Sequence, residues 1–383
     1  MRFSVPKTLI KHISGEFTKA FTMTLVVVTA MWVLVSAIAV VRREVLGPKA
    51  FLLALPVMAV ISFKYTLPMA VLLGASISYG RMSAENEIRA MEWNGIHIGW
   101  AIFPAAGIAV AASIVALVLN CEVIPAAHRG LDTIVRANIM DIIDRQLVRA
   151  SRGREQIVFD TLTVDVKAYD RSTRSIEGIA VYQTDAQERP LRRIDAASAR
   201  VVPGRLPGAV LIATEEPKEE REPKYVTFEF DNGVVTEFDP ESGAIQKRFH
   251  APAVALDLSD EEAREIGSKG MSMRQLGVYA RSARRPAQRY VARTDIFERY
   301  ALGVSPLFFV LLAAPMASLV RWKHVLTSFL PSLGVVIVIY YPLIAWAKVW
   351  GVENRMDPAY GMFAGDAAVL VAAAGVIIVL VRR

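Results

Sequence analysis

Long apolar blocks separated by charged punctuation set the frame of this chain. They run at about Ala20–Val41, Ala50–Tyr79, Gly99–Asn120, Tyr300–Val320, Val325–Ala347 and Phe363–Val381. Each fits the span of roughly 20 predominantly apolar residues that carries a helix across a bilayer. The pattern therefore predicts six membrane spans, three on either side of a long middle segment. Before the first block, Arg2, Lys7, Lys11 and Lys19 alternate with Leu9, Ile10, Ile13 and Phe17, as in an amphipathic helix at the membrane face. The first block is about twice the length of a signal-peptide core and ends in Arg42-Arg43 instead of a small-residue cleavage site, so a retained span is expected. The second holds Pro56, Lys64 and Pro68. It is longer than a bilayer requires and is expected to tilt, kink or project.

No membrane-length apolar run occurs between Cys121 and about Arg299. Arg129–Ala150 repeats Leu131, Ile134, Val135, Ile139, Ile142, Ile143 and Leu147 at helical spacing, which predicts a juxtamembrane helix. The period then changes to two. Ile157–Phe159, Leu162–Ala168, Ile176–Tyr182, Ala197–Val202, Val210–Ala213, Tyr225–Phe230 and Val234–Phe238 read as short strands. Asp170–Arg174, Pro203–Pro207, Glu215–Pro223 and Asp231-Asn232-Gly233 read as the turns between them. Residues Asp260–Arg293 return to a helical pattern and are strongly basic (Arg281, Arg284, Arg285, Arg289, Arg293). The expected fold is thus a membrane α-helical protein of 3+3 spans with an inserted all-β domain, a sandwich or jelly roll. Its parts are an N-terminal membrane half (1–120), the β domain with flanking helices (121–299) and a C-terminal membrane half (300–383).

One stretch stands apart: Pro68–Gly95, PMAVLLGASISYGRMSAENEIRAMEWNG. An apolar run ends at Tyr79, Arg81 marks the exit, and a short charged helix follows over about 83–95. Ser83 is a suitable N-cap, Glu85 and Glu87 suit the positive helix start, and Gly95 is a natural stop. At about 1.5 Å per residue this helix is roughly 16 Å long, too short to cross a bilayer. Ala84, Ile88 and Met91 fall on one stripe with Glu87 at its edge, while Glu85 and Arg89 form an i,i+4 pair on another face. Such a helix between two spans suits a groove on a soluble partner, or the membrane surface.

Composition narrows the function. The chain is 54% hydrophobic yet 21% charged, with a formal net charge of +7. Because the charges crowd the flanks of apolar blocks, a membrane or anionic lipid is favoured as partner over nucleic acid. Cys121 is the single cysteine, so no intrachain disulfide can form. The five histidines (His12, His97, His128, His250, His324) are scattered, and neither H-E-x-x-H nor G-x-S-x-G occurs, which weighs against a membrane-anchored enzyme. No G-x-x-x-x-G-K-[ST] phosphate loop is present; Gly267-Ser268-Lys269-Gly270 lacks the spacing. With both termini inside, ten basic residues (Arg2, Lys7, Lys11, Lys19, Arg81, Arg89, Arg321, Lys323, Arg382, Arg383) face the cytoplasm and five (Arg42, Arg43, Lys49, Lys348, Arg355) lie in short outer loops. The positive-inside rule then places the β domain outside. Arg42 and Arg43, at the outer end of span one, and Lys64, within span two, are candidates to hold lipid phosphates. An unpaired Lys at that depth costs at least about 2.5 kcal/mol and should face a cavity or a partner.

Taken together, these stretches resemble the YjgP/YjgQ permeases, the LptF/LptG family of the lipopolysaccharide transporter. Leu67–Ile98 is similar to that family's second span and coupling helix, and Ile176–Val201 to its periplasmic strands. Glu298-Arg299-Tyr300 with Pro306 and Pro315-Met316 resembles its fourth span, and Asp357-Pro358 precedes the sixth. The resemblance covers nearly the whole chain. It implies a non-enzymatic half-transporter of the bacterial inner membrane that extracts lipopolysaccharide from the outer leaflet. No cofactor is expected in this chain; ATP and Mg would be bound by an LptB-like subunit docked on Glu85, Glu87, Arg89 and Met91, with Glu87 in the place of the family's acidic coupling residue. A sister LptF/LptG-like permease and LptC-like and LptA-like periplasmic β proteins are the other implied partners. A permease of similar plan for another lipid or lipoprotein, or a mechanically signalling membrane protein, is the alternative.

Overall fold

A computed structural model describes residues 7–42, 47–96, 98–151, 153, 157–159, 162–184, 190–203, 210–212, 225–239, 245–257, 268–283, 286–319 and 329–382. Among them, six helices are long and apolar enough to cross a membrane. The chain divides into two compact units, residues 1–37, 54–131 and 268–383 in the first, and 38–53 and 132–267 in the second.

The helices of the first unit are longer than the apolar blocks. Helix α1 (Lys7–Arg42) fuses the expected amphipathic segment with span one. Helix α2 (Pro48–Ala84) contains Pro56 and Pro68. At about 1.5 Å per residue both exceed the roughly 30 Å hydrocarbon core by about 25 Å. A short helix α3 (Glu87–Trp93) follows. Helix α4 (Ile98–Val118) passes through a π-helical turn, Leu119–Val123, into α5 (Ile124–Ala137), and α6 (Ile139–Ser151) comes next. The expected single helix over 129–150 is therefore two. Asn138 breaks it, its side-chain amide donating to the Ile134 carbonyl. After the strands come α7 (Met273–Ser282), α8 (Pro286–Leu319), α9 (Leu330–Val335), a second π turn at Val336–Tyr340, α10 (Tyr341–Val352) and α11 (Pro358–Val381). Span four thus starts within the basic run, which was expected to precede it.

Small residues let these helices approach. Ala101, Ala105, Ala109, Ala112 and Ala116 form a buried stripe on α4, and a Cβ on Gly303 of α8 would collide with Leu117. Close backbone approach of this kind is how helices associate in lipid, where apolar burial drives little. Ser113 ties the pair further: its Oγ accepts from Leu307 N at 3.1 Å and donates to Val304 O at 3.4 Å. Pro306 cannot bond the Leu302 carbonyl one turn back. The Ser305 hydroxyl takes that carbonyl instead, at 3.0 Å, which keeps the break satisfied inside the membrane.

The second unit carries strands β1 (Ile157–Phe159), β2 (Leu162–Asp170), β3 (Ser175–Thr184), β4 (Pro190–Pro203), β5 (Val210–Ile212), β6 (Tyr225–Phe238) and β7 (Ile245–Asp257) in one sheet of order β1-β2-β3-β4-β6-β7-β5. All neighbours are antiparallel except β5 and β7. Alternate residues such as Val164 and Val166, Ile179 and Val181, Ala199 and Val201, and Phe228 and Phe230 make one buried face, against which α6 sets Ile143, Leu147 and Ala150. Tyr169 Oη donates to Asp144 of α6 at 2.5 Å. The turn at 170–174 forms as expected, its Asp170 carboxylate accepting from the Ser172 amide and hydroxyl at 2.9 and 2.8 Å. Two readings change. Asp231-Asn232-Gly233 is no hairpin turn: β6 runs straight through it with a register shift against β7 between Glu229 and Gly233. Strand β7 itself was not anticipated. The expected loop Glu215–Glu222 lies outside the described residues.

Candidate functional site: a short helix between two spans and a buried charge cluster

The link between α2 and α3 is built from positive-φ geometry. Asn86 has φ 60° and ψ 15° and precedes α3 without a side-chain cap, and Gly95 at φ 77° ends the segment. Asparagine and glycine are the residues that tolerate this region. Ser83 is therefore not the N-cap expected for it. It still belongs to the end of α2, and its hydroxyl donates to the Ser318 carbonyl at 3.2 Å. The stripe is formed by Ile88 and Met91, buried with Tyr79, Met82 and, from α1, Ile13 and Phe17. Ala84 is exposed and takes no part.

Ion pairs brace the other side. Arg81 reaches Glu16 of α1 at 2.6 Å and Glu85 at 3.5 Å, so Glu85 pairs backward along α2, whereas a pair with Arg89 was expected. Glu87 stands 3.4 Å from the His12 ring, and Trp93 is 83% exposed. Of the coupling candidates, Glu85, Glu87 and Arg89 remain at or near the surface while Met91 points inward.

Of the lipid-phosphate candidates, Lys64 alone has a side chain among the described residues. Arg42 is the last residue of α1 and nothing is described of its side chain; Arg43 lies outside the described residues. Lys64 of α2 sits in a cluster that sequence reasoning missed. Its Nζ donates to Glu298 Oε1 of α8 at 3.0 Å, and Lys348 Nζ of α10 donates to Glu298 Oε2 at 3.2 Å. The Glu298 side chain is only 6% exposed and that of Lys64 18%. One carboxylate thus bridges ammonium groups from spans two and five. Beside it, Arg299 donates to the carbonyls of Met271, Ser268 and Lys269 at 2.8, 2.9 and 3.1 Å, and Arg129 donates to that of Gly270. The two guanidinium groups pin the turn that leads into α7. In the sequence, Glu298 and Arg299 stand out only as part of a family-like string, and Lys348 only as a loop charge. The signal available in the sequence was Lys64 alone, a cation inside an apolar span that needs a partner; Glu298 and Lys348 fall just outside the apolar blocks.

A second buried acid, Asp366 of α11, is 2% exposed, and neither carboxylate oxygen has a hydrogen-bond partner among the described residues. It lies within electrostatic reach of Tyr340 in the second π turn, whose ring a Cβ on neighbouring Gly365 would meet at 3.0 Å.

A comparison with individual curated proteins returned no match. The family profile described as lipopolysaccharide export system permease LptF/LptG matches residues 11–382. That range takes in every span, the sheet, helix α3 and the charge cluster, and this chain therefore belongs to the LptF/LptG permease family.

Proposed function

We propose that this chain is the transmembrane permease subunit of an ABC transporter that extracts lipopolysaccharide from the outer leaflet of the bacterial inner membrane and passes it through its β domain toward the outer membrane. The observation that carries this reading is the position of α3, a helix of 7 residues inserted between two spans, within a family match over residues 11–382. Both termini and α3 face the cytoplasm in this reading, and the β domain is periplasmic and curls as a jelly roll. ATP and Mg are bound by a separate LptB-like subunit, which grips Glu85, Glu87 and Arg89; Met91 and Ile88 anchor the lever so that its motion is passed to α2 and α4.

A sister permease closes the cavity, and Arg42, Arg43 and Lys64 line it for the lipid phosphates, where bidentate and charge-assisted bonds are strongest. The sheet ends in edge strands of only three residues, Ile157–Phe159 and Val210–Ile212. LptC-like and LptA-like β proteins extend it there by edge pairing.

Co-purification from membranes tests the lever. Glu87→Lys is expected to abolish recovery of the ATPase subunit. Since Glu87 also touches His12, His12→Ala serves as control and should leave recovery intact. Full recovery with Glu87→Lys refutes the assignment of α3.

A further inference from the structure

The carboxylate between Lys64 and Lys348 occupies the place that an incoming anion would need. Its two oxygens each take one ammonium group, at 3.0 and 3.2 Å. Lys64 and Lys348 thus share one buried carboxylate, and a second acid, Asp295, lies within electrostatic reach of both lysines and of Arg299. A phosphate monoester carries about −1.5 to −2 charges at pH 7 and three acceptor oxygens. It therefore complements two ammonium groups better than a single carboxylate does.

We propose that Glu298 is a built-in stand-in for the lipid phosphate: it holds Lys64 and Lys348 together while the site is empty and must be displaced for a phosphorylated lipid to bind. The inference rests on the reading of the chain as a lipid permease and adds a specificity-determining residue to it. The stand-in keeps two lysines compensated inside the spans when no lipid is present, where a bare one is costly. It also sets a threshold. A lipid without phosphate gains nothing from displacing the carboxylate, whereas a phosphorylated one replaces both ion pairs. When displaced, the carboxylate is still within electrostatic reach of Arg299. Because Lys64, Glu298 and Lys348 belong to α2, α8 and α10, exchange of the bridging anion also changes what ties spans two, four and five together.

The test uses the full chain with its co-purifying subunits in nanodiscs. The probes are lipopolysaccharide and the same preparation after phosphatase treatment. A competitor that holds the site most of the time lowers apparent affinity by the fraction of free site. Glu298→Gln is thus expected to tighten binding of the phosphorylated lipid about tenfold and to leave the dephosphorylated lipid unchanged. Adding Lys64→Gln should cancel the gain. Glu298→Asp, which keeps the charge but shortens the reach to both lysines, should give an intermediate gain and carries the test if the Gln variant does not fold. Unchanged or weaker binding of the phosphorylated lipid, or an equal gain for both lipids, overturns the inference. If neither the unmodified protein nor any variant binds the phosphorylated lipid, the permease reading fails first and the stand-in with it.

Discussion

Gly74→Ala tests whether the spans are held by backbone approach. An ideal Cβ at Gly74 would stand 2.7 Å from Phe21 Cα, 2.9 Å from Phe21 N and 3.1 Å from Phe21 Cβ. Non-bonded carbons settle at about 3.5–4.0 Å, so α1 and α2 must separate by roughly 1 Å. The obstructing atoms are main chain, and no side chain can rotate aside. Along the same seam Thr24 Oγ1 donates to Ala70 O at 3.1 Å and Thr29 Oγ1 to Thr66 Oγ1 at 3.2 Å. Those bonds stretch when the helices part, at about 0.6 kcal/mol each. Overpacking adds about 1–3 kcal/mol.

Alanine also brings its helix propensity, worth about 1 kcal/mol over glycine in water. Gly107 of α4 isolates that term, because an added Cβ there meets nothing within 4 Å. Thermal unfolding of the full chain in nanodiscs should give a midpoint for Gly74→Ala well below that of Gly107→Ala, a difference equivalent to about 1–3 kcal/mol. Equal midpoints would refute the claim that the α1–α2 seam is set at the backbone.

Three further outcomes are expected. Burial, and then the hydrogen bond to Asp144, push the Tyr169 hydroxyl above its usual range. The stability so gained is complete below the unfolded tyrosine value of about 10 and is lost as pH rises toward the higher folded value. Tyr169→Phe should flatten that alkaline decline, followed by the melting of the β domain, and cost about 1–3 kcal/mol at neutral pH by removing a donor from the buried Asp144. Asp366→Ala should leave the thermal midpoint unchanged or raise it, since an unpartnered buried polar group costs about 1–3 kcal/mol; a clear fall would mean that the carboxyl has a partner in the membrane. Asn86→Val should loosen the α2–α3 joint, because a β-branched residue at φ 60° costs about 1–2 kcal/mol, and Asn86→Gly should not. Protease cleavage at the joint reports the difference.

The six spans were legible because a twenty-residue apolar block is a signal carried by composition alone. Their ends were not. Whether α8 begins at Pro286 or Tyr300 is decided by what supports the extra turns, such as Arg289 Nε donating to the Ala283 carbonyl at 2.7 Å. The strands followed the period of two wherever one face is buried. Strand β7 escaped notice because Lys247, Arg248 and His250 interrupt its apolar alternation; it is held by pairing with β6 on one side and β5 on the other. The Asp-Asn-Gly turn signal in β6 failed for a related reason. With β4 paired to one edge and β7 to the other, the chain accommodates glycine as a bulge instead of reversing.

The candidate site shows the same division between what one dimension encodes and what only the fold supplies. Lys64 announces a need, since a cation within a span must be compensated. It cannot announce the answer, because Glu298 is 234 positions away and Lys348 a further 50 beyond it. Lys64 alone reads as an anomaly of its span, while Glu298 and Lys348 read as ordinary flanking charges. Only their convergence on one carboxylate, through bonds of 3.0 and 3.2 Å from three different helices, joins them into one site.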